Sequence, residues 1–401
     1  MSLPTLAALT PPDWEVEIHD TRVSPVDYNR PCDLVGITAF TAEIPSAYSI
    51  ADEFRKRGVP VVMGGVHVSA LPEEALAHAD AVVIGEAEEV WEGLLRDAAA
   101  GNLRRMYKGE KLCEMKGMKI PRRDLIDRSM YVAGFHTIQA TRGCPHDCEY
   151  CAVTGVFGRK FRMRPVAEVI DEIRKFDTRD FIFVDDNICG NSDYAKELFT
   201  ALIPLKKTWG GQTSITFSRD DELLDLYARS GGKYAFIGFE TISQESLASI
   251  NKQWNHADAY GDAIKKIHRA GINILGSFIF GLDTDDTSVF DNTLDFIMEH
   301  RIDAVAFNVL TPLPGTRLYQ KLESEGRIFD RDWAKYHICE VVFQPKKMTP
   351  QELQTGFYRT FRKAYSMGNM LKRVLRSPRG LPYRIAVNYS YHKKAMRMPK
   401  E

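Results

Sequence analysis

Hydrophobic positions along the chain follow two periods, and their alternation divides it into two α/β units. Trp14–His19 reads as a short strand of period two, and Asp33–Thr38 (DLVGIT) is a β-rich apolar run ending in small polar residues. Ala47–Arg57 then carries a helical period, Val59–Met63 makes a second buried strand, Glu73–Ala79 a short helix and Ala81–Ile84 a third strand. Short apolar strands separated by helices predict a parallel sheet covered on both faces, a doubly wound unit whose ligand sits outside the carboxyl ends of the strands. Gly101–Met130 is rich in Lys, Arg and Gly with little periodicity and predicts a linker. Beyond it the strand and helix pattern repeats six times. The strands are His136–Thr141, Phe181–Asp186, Thr213–Ser218, Tyr234–Glu240, Ile274–Gly281 and Ala304–Leu310. The helices are Val166–Phe176, Tyr194–Leu205, Asp221–Ser230, His256–Ala270 and Phe290–His300, with Arg317–Glu325 after the last strand. Six such units make three quarters of a (βα)8 barrel, whose active site lies at the carboxyl ends of the strands. Polar residues gather at those ends: Cys144 after the first strand, Asp185, Asp186 and Asn187 after the second, Ser218 and Arg219 after the third, Glu240 and Thr241 after the fourth.

Composition narrows the class. With 53 Lys+Arg against 54 Asp+Glu in 401 residues and a net charge of -1, the chain is neither a disordered polyelectrolyte nor a uniformly basic nucleic-acid binder. No apolar run approaches the roughly 20 residues that span a bilayer, and a cytoplasmic location is expected. The balance is uneven, however. Arg359–Lys400 contains twelve Lys or Arg, opposed only by Glu401. Phe361, Tyr365, Tyr383, Tyr389 and Tyr391 are interleaved with these charges. Such a tail suits peripheral contact with anionic lipid or nucleic acid, and it equally suits a solvated basic helix that closes the barrel or covers its bottom.

Three of the seven cysteines, Cys144, Cys148 and Cys151, fall in RGCPHDCEYC directly after the first barrel strand. Three thiolates on one tight loop hold three irons of a [4Fe-4S] cluster and leave the fourth iron open to a small ligand. A zinc site is the alternative, but it calls for four ligands in paired spacings, and His146 stands in the wrong register. Cys32, Cys113, Cys189 and Cys339 are scattered, as buried small hydrophobes are, with Cys189 nearest a strand end.

With CxxxCxxC in this barrel position, the chain resembles the radical S-adenosylmethionine superfamily. DLVGIT, VVMGGVH and VIGEAE resemble the cobalamin-binding domain of one large branch of it, which includes the anaerobic Mg-protoporphyrin monomethyl ester cyclase and the hopanoid C-methylases. FVDDN, FIGFE, GSFIFGLDTDD and TPLPGTRLY resemble that branch too. The resemblance implies a Rossmann-like cobalamin-binding-type domain over residues 1–105, a linker over 106–130, a partial (βα)6 TIM-like barrel over 131–335, and a C-terminal extension with a basic tail over 336–401. It implies that Cys144, Cys148 and Cys151 bind the cluster, whose open iron chelates S-adenosylmethionine, and that a 5′-deoxyadenosyl radical abstracts a substrate hydrogen. Tyr150 fits the aromatic position near adenine, Asp186 and Asn187 the amino group, Arg219 the carboxylate and Glu240 the ribose hydroxyls. Arg219 equally suits an ion pair with Asp220 or Glu240, and Asp185 a cap on the following loop. Pro312, Pro314 and Gly315 stand where members shape the adenine pocket by backbone, which is also what a sharp turn uses. Gly281 and Asp283 have the same two readings.

In the first domain Gly64 and Gly65 permit close approach to a ligand, and with Thr38, Thr41, His67, Gly85 and Glu86 they outline a crevice for a corrinoid. The DxHxxG motif that supplies a lower cobalt ligand elsewhere is absent. Leu3–Leu9 follows Met1 almost at once, so the domain is expected to lack its first strand. The function implied is cobalamin-dependent methylation of an unactivated carbon of a small-molecule or lipid-like substrate, served by an external one-electron reductant such as flavodoxin or ferredoxin. Radical cyclisation or oxidation of a tetrapyrrole-type substrate, RNA modification and a non-catalytic cobalamin or redox sensor are the alternatives. Nucleic acid is disfavoured because the first domain has no cysteine cluster of its own and no terminal RNA-binding module is evident.

Overall fold

The computed structural model describes residues 1–131, 134–375 and 380–399; Arg376, Arg379, Lys400 and Glu401 of the basic tail lie outside the described residues. After helix α1 (Ser2–Leu9), four parallel strands, β1 (Val35–Thr38), β2 (Val61–Gly64), β3 (Ala81–Ile84) and β4 (Met106–Lys108), lie side by side in chain order. Helices α2 (Ile44–Lys56), α3 (Val66–Ala70) and α4 (Pro72–Ala75) build one face, where Ile44, Ala51 and Phe54 meet Val61, Met63 and Val82. On the other face Trp91, Leu94 and Leu95 of α5 (Trp91–Ala99) meet Val62 and Val83, with Leu6 and Leu9 of α1 alongside. Alternate residues of one strand thus enter two cores, which is why the strands read as unbroken apolar runs.

Two expectations fail in this domain. Trp14–His19 forms no strand, because no neighbouring strand lies beside it to take up its backbone hydrogen bonds. The expected linker contains β4, whose three residues place Tyr107 inside between two exposed neighbours. One inward side chain is too short a pattern to register as a strand.

The second sheet has six parallel strands in the order β12-β11-β10-β9-β8-β5, with adjacent strands joined through helices on the outside. It opens with β5 (His136–Ile138). The antiparallel pair β6 (Thr141–Arg142) and β7 (Arg162–Met163) then brackets the cysteine loop, with α6 (Val153–Phe157) between them. The sequence continues as α7 (Val166–Arg174), β8 (Asp180–Phe183), α8 (Ser192–Leu202), β9 (Thr208–Thr213), α9 (Asp221–Arg229), β10 (Gly232–Glu240), α10 (Gln244–Ser249) and α11 (Tyr260–Arg269). It ends with β11 (Asn273–Phe280), α12 (Val289–Glu299), β12 (Ala304–Val309) and α13 (Arg317–Ser324). The third strand differs from expectation: it is Thr208–Thr213, and Ile215–Arg219 is a 3-10 turn. Gly210 and Gly211 look like turn residues in the sequence. They sit in mid-strand because a Cβ there would lie 3.0 Å from Tyr234 Cβ and 3.2 Å from Phe183 Cβ.

Helices α14 (Pro350–Ala364), α15 (Met367–Val374) and α16 (Leu381–Arg397) close the chain. Tyr365 and Arg384 reach the amino ends of β11 and β12, while Leu353 of α14 abuts Gly281 and Lys394 of α16 abuts Cys339, both beyond the carboxyl ends. The Tyr365 hydroxyl accepts from Val305 N–H at 2.8 Å and donates to its carbonyl at 2.5 Å. Arg384, fully buried, donates to Asn273 Oδ1 at 2.8 Å and to the Val374 carbonyl at 3.0 Å, and lies 3.6 Å from the Asp303 carboxylate. Among the described residues no helix is long and apolar enough to cross a membrane. Arg384→Ala leaves Asp303 short of a buried counter-charge, and it should cost about 3 kcal/mol, read as a lower urea midpoint at unchanged slope.

Candidate active site at the carboxyl ends of the barrel strands

The cysteine loop is held from several sides. At its root the fully buried Asp185 carboxylate accepts from the N–H groups of Ala140 and Thr141 and, at 2.7 Å, from the Thr141 hydroxyl. Burial pushes this carboxyl up to about 7. Gly143 follows with φ +83, and a Cβ there would stand 2.8 Å from the Lys160 carbonyl. Its N–H donates to Asp186 Oδ2 at 3.2 Å. Further along, the Asp147 carbonyl accepts from Asn251 Nδ2 and Arg317 Nη2, each at 2.6 Å, and Leu318 N–H donates to the Glu149 carbonyl at 3.0 Å. The end of α10 and the start of α13 therefore fix the shape of the loop.

Cys144, Cys148 and Cys151 all face one cavity of about 280 Å³. All seven cysteines are free thiols. Burial raises Cys144 and pushes Cys148 up to about 11 and Cys151 to about 12. Among the described residues no three His, Cys, Asp or Glu side chains converge as a single-ion cage. A zinc ion needs its ligands about 2 Å from one centre, whereas three soft donors around a shared cavity suit a group with several metal corners.

Across the cavity stands a buried ion pair. Lys252 Nζ donates to Glu240 Oε1 at 2.7 Å and to the Gly238 carbonyl at 3.0 Å. Glu240 holds φ +67 at a register shift in β10. The glycine of FIGFE makes room for this arrangement: a Cβ on Gly238 would lie 2.2 Å from Glu240 Oε1. The Tyr150 hydroxyl bonds to Glu240, and burial sends its pKa well above the usual range. His146 stacks on Trp254 with ring centroids 4.0 Å apart, and desolvation holds it at about 4, so the ring is neutral. Asp186 and Asn187 also line the cavity, and burial raises Asp186. The remaining wall joins apolar Phe236, Ile279, Val309, Leu310, Leu313 and Ile338 with polar Gln212, Thr213, Ser214, Ser277, Asn308 and Thr311.

Of the residues expected around the barrel site, the three cysteines, Tyr150, Asp186, Asn187 and Glu240 come together here. Arg219 does not. With β9 ending at Thr213, Arg219 falls at the end of the 3-10 turn, exposed, and donates to the Trp254 carbonyl at 3.0 Å. Sequence reasoning missed Lys252 and Trp254. A single lysine among 53 basic residues carries no signal without its burial. Gly315 has φ +79 and abuts Ala70 of α3, where a Cβ would stand 3.0 Å away. Asp283 is held at about 2 by Arg327, Lys321 and Lys346 and serves an ion-pair cluster.

In the first domain Gly64, Gly65 and Gly85 stand at the carboxyl ends of β2 and β3. Gly65 has φ +107 and a Cβ there would meet Thr38 Oγ1 at 2.7 Å, while Gly85, at φ +78, opens onto free space. Phe40, just beyond β1, is 65% exposed and gives this rim a bare aromatic face that the sequence did not flag. Thr41 is buried, and His67 and Glu86, also expected in the crevice, are turned elsewhere. The buried His67 ring is enclosed by Glu74, whose Oε1 lies 3.1 Å from Nε2, and by the edge of Trp333; burial lowers its pKa. Glu86, its side chain only 4% exposed, receives Arg142 Nη1 at 2.9 Å, Arg162 Nη1 at 2.7 Å and Cys113 N–H at 2.8 Å. Glu88 takes the other arm of Arg142 at 2.5 Å. The GEAE segment thus grips the two short strands that bracket the cysteine loop.

The radical SAM superfamily matches residues 138–297, the B12 binding domain matches residues 5–95, and a domain of unknown function (DUF4070) matches residues 316–398. Bacteriochlorophyllide d C-12(1)-methyltransferase of Chlorobaculum tepidum is 34% identical over 94% of this chain and 85% of its own. The C-8(2)-methyltransferase of the same organism is 32% identical over 95% and 88%. The structure of the radical S-adenosylmethionine methyltransferase TsrM from Kitasatospora setae, with cobalamin and a [4Fe-4S] cluster bound, shares the fold at a TM-score of 0.73 over 99% of this chain and 96% of its own, with 16% identity. Glu86→Ala would leave the buried Arg162 without its carboxylate and Arg142 with Glu88 alone, a loss of about 3 kcal/mol. It is expected to lower the thermal midpoint and to speed proteolysis in the segment between β4 and β5, with Glu86→Asp falling between the two.

Proposed function

This chain belongs to the cobalamin-dependent radical S-adenosylmethionine C-methyltransferases, and we propose that its barrel cavity holds the [4Fe-4S] cluster on Cys144, Cys148 and Cys151 and serves methylation of an unactivated carbon on a tetrapyrrole-type substrate. Its cofactors are the cluster, S-adenosylmethionine and cobalamin. When bound, the cluster supplies the electron that cleaves S-adenosylmethionine and cobalamin carries the methyl group.

The observation that carries the reading is that three free thiols, a buried Lys–Glu pair and apolar side chains share one cavity. Lys252 is the cation lining that cavity among the described residues, so the carboxylate of S-adenosylmethionine falls to it rather than to Arg219. Glu240, aimed by its left-handed backbone, has a second oxygen for ribose hydroxyls. Tyr150 lies beside it for the adenine, and Asp186 and Asn187 offer acceptors to the amino group. The apolar side chains of the wall keep water from a reactive centre, which suits attack on a carbon with no activating group. In the first domain, the open glycine rim and Phe40 supply a flat apolar face for the corrin. The tetrapyrrole assignment follows the substrates of the two Chlorobaculum relatives. An external one-electron reductant of the ferredoxin or flavodoxin type completes the system.

Anaerobic reconstitution should give broad visible absorbance and about four irons per chain, and Cys144→Ala should give neither. Burial raises the pKa of these three thiols, so assembly should proceed further at pH 9 than at pH 7. Lys252→Met should weaken S-adenosylmethionine binding by about tenfold or more at unchanged iron content. Labelled methyl recovered on carbon separates methyl transfer from cyclisation.

A further inference from the structure

The three C-terminal helices combine charge and apolar surface in a way the barrel cavity does not use. Residues 353–400 contain no Asp or Glu. Within this stretch Met367, Leu371 and Leu375 are exposed at successive turns along α15, and Ile385, Tyr389 and Met396 along α16. These are six of the seventeen large apolar side chains exposed among the described residues, a concentration that packing does not require. The inner face of α15 is already satisfied by Met370, Arg373 and Val374, which are buried. Lys372, Lys393 and Arg397 are exposed beside the apolar positions, without an acidic partner among the described residues, and Lys393 lies 4.7 Å over the Tyr389 ring. A groove of about 530 Å³ between α12 and α15 continues this surface. Leu294, Met298 and Leu375 give it apolar walls, and Arg301 and Lys372 stand on it as cations opposite Asp295.

We propose that this face of the C-terminal segment binds an anionic lipid surface. Lysine and arginine meet headgroup phosphates while methionine, leucine, isoleucine and tyrosine enter the boundary between headgroups and acyl chains. Three competing uses fit less well. Arg373 and Arg384 already do the packing work as buried cations at the bottom of the barrel, so Lys372, Lys393 and Arg397 are not needed for it. A second copy of this face would set cation against cation across a two-fold axis. A nucleic acid is read by hydrogen bonds and aromatic stacking, which exposed Met, Leu and Ile do not provide. Arg384 and Asn388 fix the start of α16 at the amino ends of β11 and β12, and Lys394 near its end lies 3.9 Å from Cys339 Sγ beyond the carboxyl end of β12, so the proposed contact runs along the outside of the barrel. It does not rest on the cofactor assignments.

The test is flotation of the full-length protein with vesicles of phosphatidylcholine containing one-third phosphatidylglycerol, against vesicles of phosphatidylcholine alone. Binding to the anionic vesicles is expected, together with loss at high salt and a drop of about fivefold for each of Lys372→Gln and Lys393→Gln. Leu371→Glu with Tyr389→Glu should abolish binding while the thermal midpoint and iron content stay at the parent values. Equal binding to neutral vesicles, no binding to either, or unchanged binding by the double variant would overturn the proposal. So would a solution dimer that the double variant dissociates, or a single-stranded oligonucleotide that competes the protein off the vesicles.

Discussion

One carboxylate joins the two halves of this protein. Glu86 stands just past the end of β3, crosses to the barrel and receives both Arg142 and Arg162, the residues on β6 and β7 that bracket the cysteine loop. Burying three charges is expensive, and an apolar substitute of the same shape would often be more stable. What the charged version adds is direction. A guanidinium fork accepts a carboxylate in few geometries, so the pair sets the angle at which the first domain meets the root of the loop. Trp333 on Glu74 and Gly315 against Ala70 hold the same two units together elsewhere.

The same device appears inside the cavity under greater constraint. Glu240 adopts a left-handed backbone that a side chain with a Cβ disfavours, and the residue two before it must be glycine for its carboxylate to fold back onto Lys252. Strain of this kind persists only where surrounding contacts over-determine it, and it clusters at functional sites. Lys252 is fixed by Glu240 and by the Gly238 carbonyl, and its ammonium also faces Cys148 and Cys144. A positive charge there offsets the negative charge that builds up once the thiols lose their protons. The pair therefore lies between the three thiols and the proposed place of an amino-acid head.

How much of this could be read from the sequence depended on whether the deciding contact was local. Strands buried on both faces announced themselves as apolar runs, and CxxxCxxC marked its loop because its three donors lie within eight residues. The third barrel strand was displaced because Gly210 and Gly211 serve neighbours on β8 and β10 that the sequence does not place beside them. Arg219 was drawn into the site by that error. Glu86 was assigned to a corrinoid because its true partners stand 56 and 76 residues away. Lys252 was invisible for the same reason, since nothing in INKQWN distinguishes a buried lysine from a solvated one. His67 was assigned by its neighbours in GGVH, and only the fold shows Trp333 closing over it.

The cavity and the tail carry charge differently. In the cavity the ionic side chains are few, with Lys252 buried and paired to Glu240, because a site for a reactive intermediate must exclude water and counter-ions. Residues 359–400 carry twelve basic residues with no acid among them. Two of these, Arg373 and Arg384, are taken up in covering the strands, which secures the tail as part of the barrel rather than as a loose appendage. A tail fixed by two buried arginines holds Lys372, Lys393 and Arg397 on a surface of defined shape. That is the difference between a flexible polycation, which attracts any polyanion, and a rigid face whose apolar positions select what the charges attract.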